Sequence, residues 1–262
     1  EMKAPHLTLS KSQITSLDYD MDFAATVSDV EAPENEIGIS TIDLPNDITL
    51  ILKPSVTSSN TISINAFRPI SPLVLTKRKE YLATMLAPEV VQYLGAGSYT
   101  KFDLNDFMQN KSYRRTLDLE GFHITAKTNI KNIDELIKLM HLVSTTPRKD
   151  KEAFRVWKRE KNKELIGLTG RGSSDFYMDN VKALQYQGIP KLTLKDLESL
   201  QLNEILEAYA KWASSYEGYT FVVTGDFKSK DVAPELIRYI SSLPVKDVPN
   251  KKIILKPDFK MQ

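Results

Sequence analysis

The side chains that most often carry catalysis or bind metal are few in this sequence. It contains three histidines, His6, His123 and His141, and no cysteine. No two of these histidines have the spacing of paired ligands on one helix face, so no helical zinc site is predicted. The lack of cysteine also excludes thiolate zinc sites, disulfides and a cysteine nucleophile. For each histidine, a surface position or a hydrogen-bonded structural position is the more common alternative.

Serine and aspartate give no stronger catalytic signal. No serine lies in a G-x-S-x-G elbow. Ser173 and Ser174 follow glycines in "TGRGSSDF", but the stretch lacks the lysine end of a phosphate-binding loop, so a helix-capping turn is the better interpretation. Asp103 and Asp106 in "DLNDF" could be paired carboxylates in an enzyme of another mechanism, although an aspartate at a helix start is usually a cap.

The charge composition gives no general attraction to nucleic acid or to an anionic membrane. Lys plus Arg number 35 and Asp plus Glu number 34, for a net charge of +1. The basic run at 148–163 also holds acidic residues and has no aromatic platform beside it, which is typical of a solvated helix face with ion pairs. Apolar runs are far shorter than the roughly 20 residues of a membrane helix. We therefore expect no nucleic-acid partner and no membrane span.

Apolar periodicity predicts an α+β fold, with a two-layer mixed β-sheet and helices packed on it. Alternating apolar residues predict strands at "STID", "ITLIL", "TISINAF", "RRTLDLE", "FHITAKT" and "YTFVVTG". The strands "ITLIL" and "TISINAF" are expected to form a hairpin or to be neighbours in the sheet. Helical spacing predicts helices at 79–95, from Asp103, from Asn132, after Pro147, in two pieces within 191–216 of which the second has its apolar face at 202–212, and near 231–243. Strand pairs separated by helices favour this layered arrangement.

Three segments are expected along the chain. Residues 1–39 are polar and partly acidic, which is typical of a linker or connector. Residues 40–247 hold the periodic strands and helices of the domain. In 248–262, "KKIILKPDFK" begins a further strand, which indicates the start of a following domain or a tail.

Several stretches resemble, in order, the pitrilysin/insulinase family of zinc peptidases. "LPNDITLILKP" is similar to the opening strand of that family, and "STTPRKDKEAFRVWKREKNKEL" is similar to its helix that follows a proline. "YTFVVTGDF" and "APELIRYISSLP" resemble its closing strand, glycine turn and last helix. The resemblance covers roughly residues 40–245. It implies the LuxS/mitochondrial-processing-peptidase-like metallohydrolase fold.

The resemblance also implies where zinc chemistry would stand in a catalytic relative. Such members carry H-x-x-E-H on the helix after the second strand, with two histidine ligands, a glutamate as general base and a downstream glutamate ligand. Here that helix is "KEYLATMLAPEVVQYLG", which has no histidine and includes Pro88, a residue expected to distort it. No catalytic or metal-binding residue is therefore predicted, and no substrate-binding residue is assigned. The acidic residues nearest to such a site are Glu80, Glu89, Glu152, Glu160 and Glu164.

The stretch 96–111, "AGSYTKFDLNDFMQNK", resembles the non-catalytic half of bacterial members. Gly97, Leu104 and Lys111 match that pattern, while Asn110 replaces a glycine, and "PIS" at 69–71 replaces the usual Gly-Gly. The resemblance implies the first domain of a non-catalytic half, which encloses peptide substrate and packs on a catalytic half of the same or a partner chain. Zinc is expected in that half and no cofactor in this chain, with an exported, periplasmic setting. The alternative is a stand-alone binding or scaffold protein that reuses the fold.

Overall fold

The computed structural model describes residues 16–24, 33–44, 47–55, 61–68, 77–109, 116–120, 123–169 and 192–246. Within these residues, six strands form one sheet in the order β1-β2-β6-β3-β5-β4. The strands are β1 (Ser40–Asp43), β2 (Thr49–Pro54), β3 (Ile62–Phe67), β4 (Thr116–Glu120), β5 (His123–Thr128) and β6 (Thr220–Gly225).

Two antiparallel strand pairs were predictable from local sequence, and one predicted pairing is wrong. β1 pairs with β2, and β4 pairs with β5. β2 and β3 are not neighbours, because β6 lies between them, parallel to β2 and antiparallel to β3. The side chains of Phe221 and Val223 on β6 are fully buried, as expected for an apolar strand in the centre of a sheet. Because β6 occupies this place, β2 and β3 cannot form a hairpin.

The helices agree with the predicted ones to within a few residues at their ends. They are α1 (Arg78–Leu94), α2 (Lys101–Met108), α3 (Ile133–Thr145), α4 (Lys151–Thr169), α5 (Leu194–Ser199), α6 (Leu202–Ala208) and α7 (Ser229–Ile240). A π-helical turn, Tyr209–Ala213, continues α6, and a 3-10 turn, Ile130–Asn132, precedes α3. None of the helices in these described ranges is both long and apolar enough to cross a membrane.

The core lies between one face of the sheet and the helices. Leu50 and Leu52 of β2, Ile64 of β3 and Val223 of β6 all point to this face and are almost completely buried. The alternate residues of the same strands are partly or fully exposed. This alternation is the pattern of a sheet with one covered face, so the predicted two-layer α+β architecture is confirmed.

Residues 16–24, which we call the strap, run along the outside of α3 and α7. The Leu17 side chain is buried, and the Phe23 ring meets Tyr239 of α7 edge-on with 4.9 Å between centroids. The backbone N–H of Ala24 donates to Ser242 Oγ at 2.6 Å. The strap therefore packs on the domain, although it lies inside the predicted connector. The division of the chain into segments stays a prediction, and 1–15, 25–32 and 247–262 lie outside the described residues.

Candidate functional site

α1 is the helix on which the resemblance implies zinc ligands in a catalytic relative, and the turn at its end contacts the approach to α4. Gly95 ends α1 with φ +89°, a conformation that side chains rarely adopt. A Cβ at this position would stand 2.3 Å from the carbonyl oxygen of Tyr99, so the close approach also requires glycine. The Gly95 carbonyl accepts from the backbone N–H of Arg148 at 3.2 Å. This turn therefore joins α1, α2 and the approach to α4.

The part of α1 where the resemblance implies metal ligands in a catalytic relative belongs to the core. Leu82, Ala83, Thr84 and Ala87 are all buried and pack under neighbouring elements. Pro88 lies inside α1 without ending it, so the expected distortion does not interrupt the helix. Proline removes the N–H that would bond to the Thr84 carbonyl, and the burial of this whole stretch offsets that loss.

The acidic residue after the proline is held between two donors from α4. Glu89 Oε1 accepts from Trp157 Nε1 at 2.9 Å, and Glu89 Oε2 accepts from Lys161 Nζ at 3.3 Å. The Trp157 ring is buried and stacks on Phe154 with 5.6 Å between centroids. Burial lowers the pKa of Lys161, but the carboxylates of Glu89 and Glu164 outweigh this and raise it overall. Both carboxylate oxygens of Glu89 are therefore used in holding α1 against α4.

The other acidic residues named from the sequence also have partners. Glu80 pairs with Lys211 at 3.3 Å, and Glu152 pairs with Arg155 at 2.6 Å. Glu164 pairs with Lys161 at 3.1 Å.

The Tyr93 hydroxyl donates to Glu160, and burial together with this carboxylate raises the pKa of Tyr93 to about 12. Within the part of the chain that the structure describes, no cluster of three or more histidine, aspartate and glutamate side chains could hold a metal ion.

The two described histidines lie apart from α1. His123 begins β5, is exposed and stands opposite Phe67 of β3. His141 lies on α3, where its Nδ1 is 2.6 Å from the Tyr19 hydroxyl of the strap. Burial lowers the pKa of His141, which favours a neutral ring that accepts a hydrogen bond from Tyr19.

The aspartate pair considered for catalysis has a structural explanation. α2 begins at Lys101 and is capped by Thr100, whereas the sequence indicated a start at Asp103. Asp103 Oδ2 accepts from the Thr100 backbone N–H at 2.8 Å, and the Asp103 N–H donates to Thr100 Oγ1, which completes a capping box. Asp106 is exposed on the same helix. His6, Ser173 and Ser174 lie outside the described residues.

A cavity that sequence reasoning missed lies where the start of α1 meets α6 and the π-helical turn. Its volume is about 350 Å³, and its lining includes three lysines, three glutamates, Ala83, Ala208 and Trp212. No sequence signal pairs Ala83 with Ala208, which line this cavity together only in the fold. Hydrophobic periodicity alone assigns both alanines to the core.

Comparisons with known proteins find similarity in structure. No protein-family model matches the chain, and no curated protein matches it in sequence. The periplasmic protease PqqL from Escherichia coli superimposes with a TM-score of 0.64 and 17% identity, over 95% of this chain and 27% of PqqL. An inactive peptidase M16 domain from Pseudomonas fluorescens gives a TM-score of 0.62 and 11% identity, over 82% of this chain and 53% of that one. Pitrilysin gives 0.59 and 13%, over 90% of this chain and 26% of pitrilysin.

The chain has the fold of an M16 peptidase domain. The predicted structural resemblance to pitrilysin-like peptidases is thereby confirmed at the level of the fold. The chain spans about a quarter of the length of PqqL and of pitrilysin.

Proposed function

We propose that this chain is a non-catalytic domain of a pitrilysin-like zinc metallopeptidase, which helps enclose the peptide substrate and packs on a catalytic half. The observation that carries the proposal is the composition of α1. By the resemblance, this helix corresponds to the one that carries H-x-x-E-H in catalytic members, yet it has no histidine, and Glu89 is held by Trp157 and Lys161. A hydrolytic zinc site needs about three protein ligands and a water, and α1 offers none of the usual histidine ligands.

The inactive M16 domain and PqqL among the similar structures support this role. One of these structures is an inactive M16 peptidase domain, so the fold also occurs in that family without catalytic activity. In our proposal, zinc resides in the catalytic half, on the same or a partner chain. We also propose an exported, periplasmic location of the full protein, which the resemblance and the periplasmic location of PqqL support.

Reconstitution from separate halves tests the proposal. A catalytic half with H-x-x-E-H, encoded upstream in the same reading frame or in a neighbouring gene, is purified alone. Its cleavage of a quenched fluorescent peptide is measured with and without this chain. We expect no cleavage by this chain alone, weak cleavage by the catalytic half, and a clear increase when equimolar halves associate.

Two results would contradict the proposal. Metal-dependent cleavage by this chain alone would make it an enzyme. A catalytic half that is fully active and does not bind this chain, or the lack of any such half in the gene and its neighbours, would instead favour the stand-alone scaffold.

A further inference from the structure

The strap has one side turned to the domain and one turned to solvent. Its inward side chains are apolar or aromatic and pack on the core, and its outward side chains are acidic and exposed. They are Leu17, Tyr19, Met21 and Phe23 inward, and Asp18, Asp20 and Asp22 outward. This alternation is typical of an extended segment that lies on an apolar surface. The strap belongs to no helix or strand, so its contacts with the domain hold it in place.

Residues 17–19 of the strap, which we call the first clamp, are fastened to two elements. The backbone N–H of Leu17 donates to Glu135 Oε2 on α3 at 3.3 Å. The backbone N–H of Asp18 donates to the Tyr99 hydroxyl at 2.6 Å, and Tyr99 belongs to the turn between α1 and α2. The first clamp therefore ties the strap both to α3 and to the turn after α1.

The remaining hydrogen bond of the first clamp joins Tyr19 to the imidazole of His141. The Tyr19 hydroxyl lies 2.6 Å from Nδ1, and the two rings lie beside each other with 5.7 Å between centroids. A neutral imidazole accepts this bond, whereas a protonated imidazole has an N–H on both nitrogens and cannot accept it. Because the Tyr19 ring lies against His141, the strap contributes to the burial that lowers the pKa of His141. The docked first clamp therefore favours the neutral ring.

Residues 23 and 24, which we call the second clamp, are held by groups of another kind. The Ala24 N–H donates to Ser242 Oγ at 2.6 Å, and the Ala24 carbonyl accepts from Arg238 Nε at 3.1 Å. The Phe23 ring packs on Tyr239 and lies 5.4 Å from the guanidinium carbon of Arg238. Arginine keeps its charge, and burial raises the pKa of Tyr239 above its ordinary value. The second clamp therefore does not change its charge in mildly acidic solution.

The other charges along the contact do not reverse this difference between the clamps. Lys138 and Glu135 of α3 pair with each other at 3.0 Å. Burial sets the direction of the His141 pKa, so it outweighs any attraction between the protonated ring and the strap aspartates. Histidine is the side chain that ordinarily changes charge just below neutral pH, whereas carboxylic acids titrate at lower pH and lysine at higher pH. The further ionisable side chains of α3 and α7 are Asp134, Lys230, Asp231 and Glu235.

We propose that the strap is a pH-sensitive latch, in which mild acidification opens the first clamp while the second clamp keeps the strap attached at α7. When His141 takes up a proton, it can no longer accept from Tyr19, and the charged ring is better hydrated once the strap has lifted. Opening releases the strap from the turn after α1 and uncovers this side of α3. The inference goes beyond the proposed function and does not depend on it.

The direction of the effect follows from proton linkage. With the strap lifted, His141 loses part of its burial, and its pKa returns towards the ordinary value of about 6.5. The open state then binds the proton more readily than the docked state, so opening is favoured as the pH falls below about 6.5. Above this pH the ring is neutral in both states, and the strap stays docked.

Electron paramagnetic resonance of single nitroxide labels tests the latch in the full chain, which has no cysteine of its own. A label at Asp18→Cys reports on the first clamp. A matched label at Asp22→Cys, which replaces another exposed aspartate of the strap, reports on the second clamp. Between pH 7.5 and pH 5.5, we expect the mobile fraction of the spectrum to rise about threefold or more at position 18 and to stay constant at position 22. Circular dichroism at both pH values verifies that the domain remains folded.

Two variants identify the group that titrates. His141→Asn keeps an amide oxygen near the position of Nδ1 but does not titrate, so the label at position 18 should show the same mobile fraction at both pH values. Tyr19→Phe keeps the ring and removes the hydroxyl, so it should raise the mobile fraction at pH 7.5 several-fold. If His141→Asn does not fold, Tyr19→Phe provides the test.

An unchanged mobile fraction at position 18 between the two pH values would overturn the latch, as would an equal rise in His141→Asn. An equal rise at positions 18 and 22 would overturn the separation into two clamps, since the strap would then leave as a whole. Unchanged mobility in Tyr19→Phe at pH 7.5 would show that the bond to His141 does not fasten the strap. Each of these results is separate from the reconstitution of peptidase activity.

Discussion

The α1–α4 contact and the strap–α3 contact both use side chains that could have bound metal, but they use them differently. In the first, the partly exposed Glu89 carboxylate is held by Trp157 and Lys161 between two helices, beside a buried aromatic stack. In the second, the His141 ring binds the Tyr19 hydroxyl of the strap at a partly exposed position. The carboxylate and the imidazole thus lie in separate contacts and do not form one site. The first contact should dominate stability, and the second should respond to pH.

The largest expected effect is on the α1–α4 contact. Trp157→Ala should lower the free energy of unfolding by about 3–5 kcal/mol, because it removes a buried aromatic ring and leaves a cavity. Urea denaturation at neutral pH measures the loss. Glu89→Gln is the matched control, since it keeps an acceptor for Trp157 and loses only the ion pair with Lys161, at about 1 kcal/mol or less. If Trp157→Ala and Glu89→Gln lower the free energy of unfolding by the same small amount, the α1–α4 contact does not dominate the stability of the domain.

The turn at the end of α1 should be nearly as sensitive. Gly95→Ala should destabilise the chain by about 3 kcal/mol, because the backbone there is in a region that only glycine occupies readily and the Cβ would clash with the Tyr99 carbonyl. Gly167→Ala on α4, where a Cβ meets no atom within 4 Å, should instead stabilise by about 0.5–1 kcal/mol. Thermal melting compares the two. Equal effects would mean that the α1 turn is not constrained as described.

The strap contact should be weaker and dependent on pH. Tyr19→Phe should lower the free energy of unfolding by about 1 kcal/mol at pH 7, through loss of one hydrogen bond. Because burial lowers the pKa of His141, the unfolded chain binds its proton more readily, and stability should fall as the pH drops below about 6.5.

His141→Gln is expected to reduce the fall in melting temperature between pH 7 and pH 5. A fall of unchanged size in this variant would assign the pH dependence to other groups and remove the contrast between the two contacts.

The smallest effect is expected at the first residue of α1. Arg78 Nη2 lies 2.7 Å from Asp196 Oδ2, and this hydrogen bond holds the pKa of Asp196 well below its usual range. Arg78→Ala should destabilise by about 0.2–1 kcal/mol, since the pair is partly exposed. The contribution should be complete at neutral pH, begin to fall below about pH 4, where the unfolded aspartate protonates, and be lost fully only as the pH falls through the lower pKa of the folded state. Denaturation at pH 7 and pH 3 checks this, and an equal effect at both values would contradict it.

The elements that depend on local pattern could be predicted from the sequence. Ile133, Leu136, Ile137 and Met140 form the buried stripe of α3 as their spacing indicated, and β4 and β5 pair antiparallel as predicted. The position of β6 between β2 and β3 could not be predicted, because it is set by pairing between distant parts of the chain. Periodicity identifies strands, but it does not give their order.

For the candidate site too, features set by residue types within one helix could be predicted, and features set by the fold could not. The lack of histidine in α1 is visible in the sequence, since it concerns residue types within one helix. The cavity is not, because Ala83 on α1 and Trp212 after α6 are brought together only by the fold. The partners of Glu89 could not be predicted either. In the sequence, Trp157 and Lys161 fit the pattern of an amphipathic helix with a solvent-exposed charged face, which does not indicate a contact with α1.

Metal content of the purified chain tests the central claim most directly. The tag-free chain is incubated with zinc, dialysed against metal-free buffer and measured by mass spectrometry of the metal per mole of protein. Our account predicts no zinc above background, because α1 offers no histidine and its acidic neighbours are held in ion pairs or hydrogen bonds. One tightly bound zinc per chain would contradict it, since the domain would then hold a metal centre of its own.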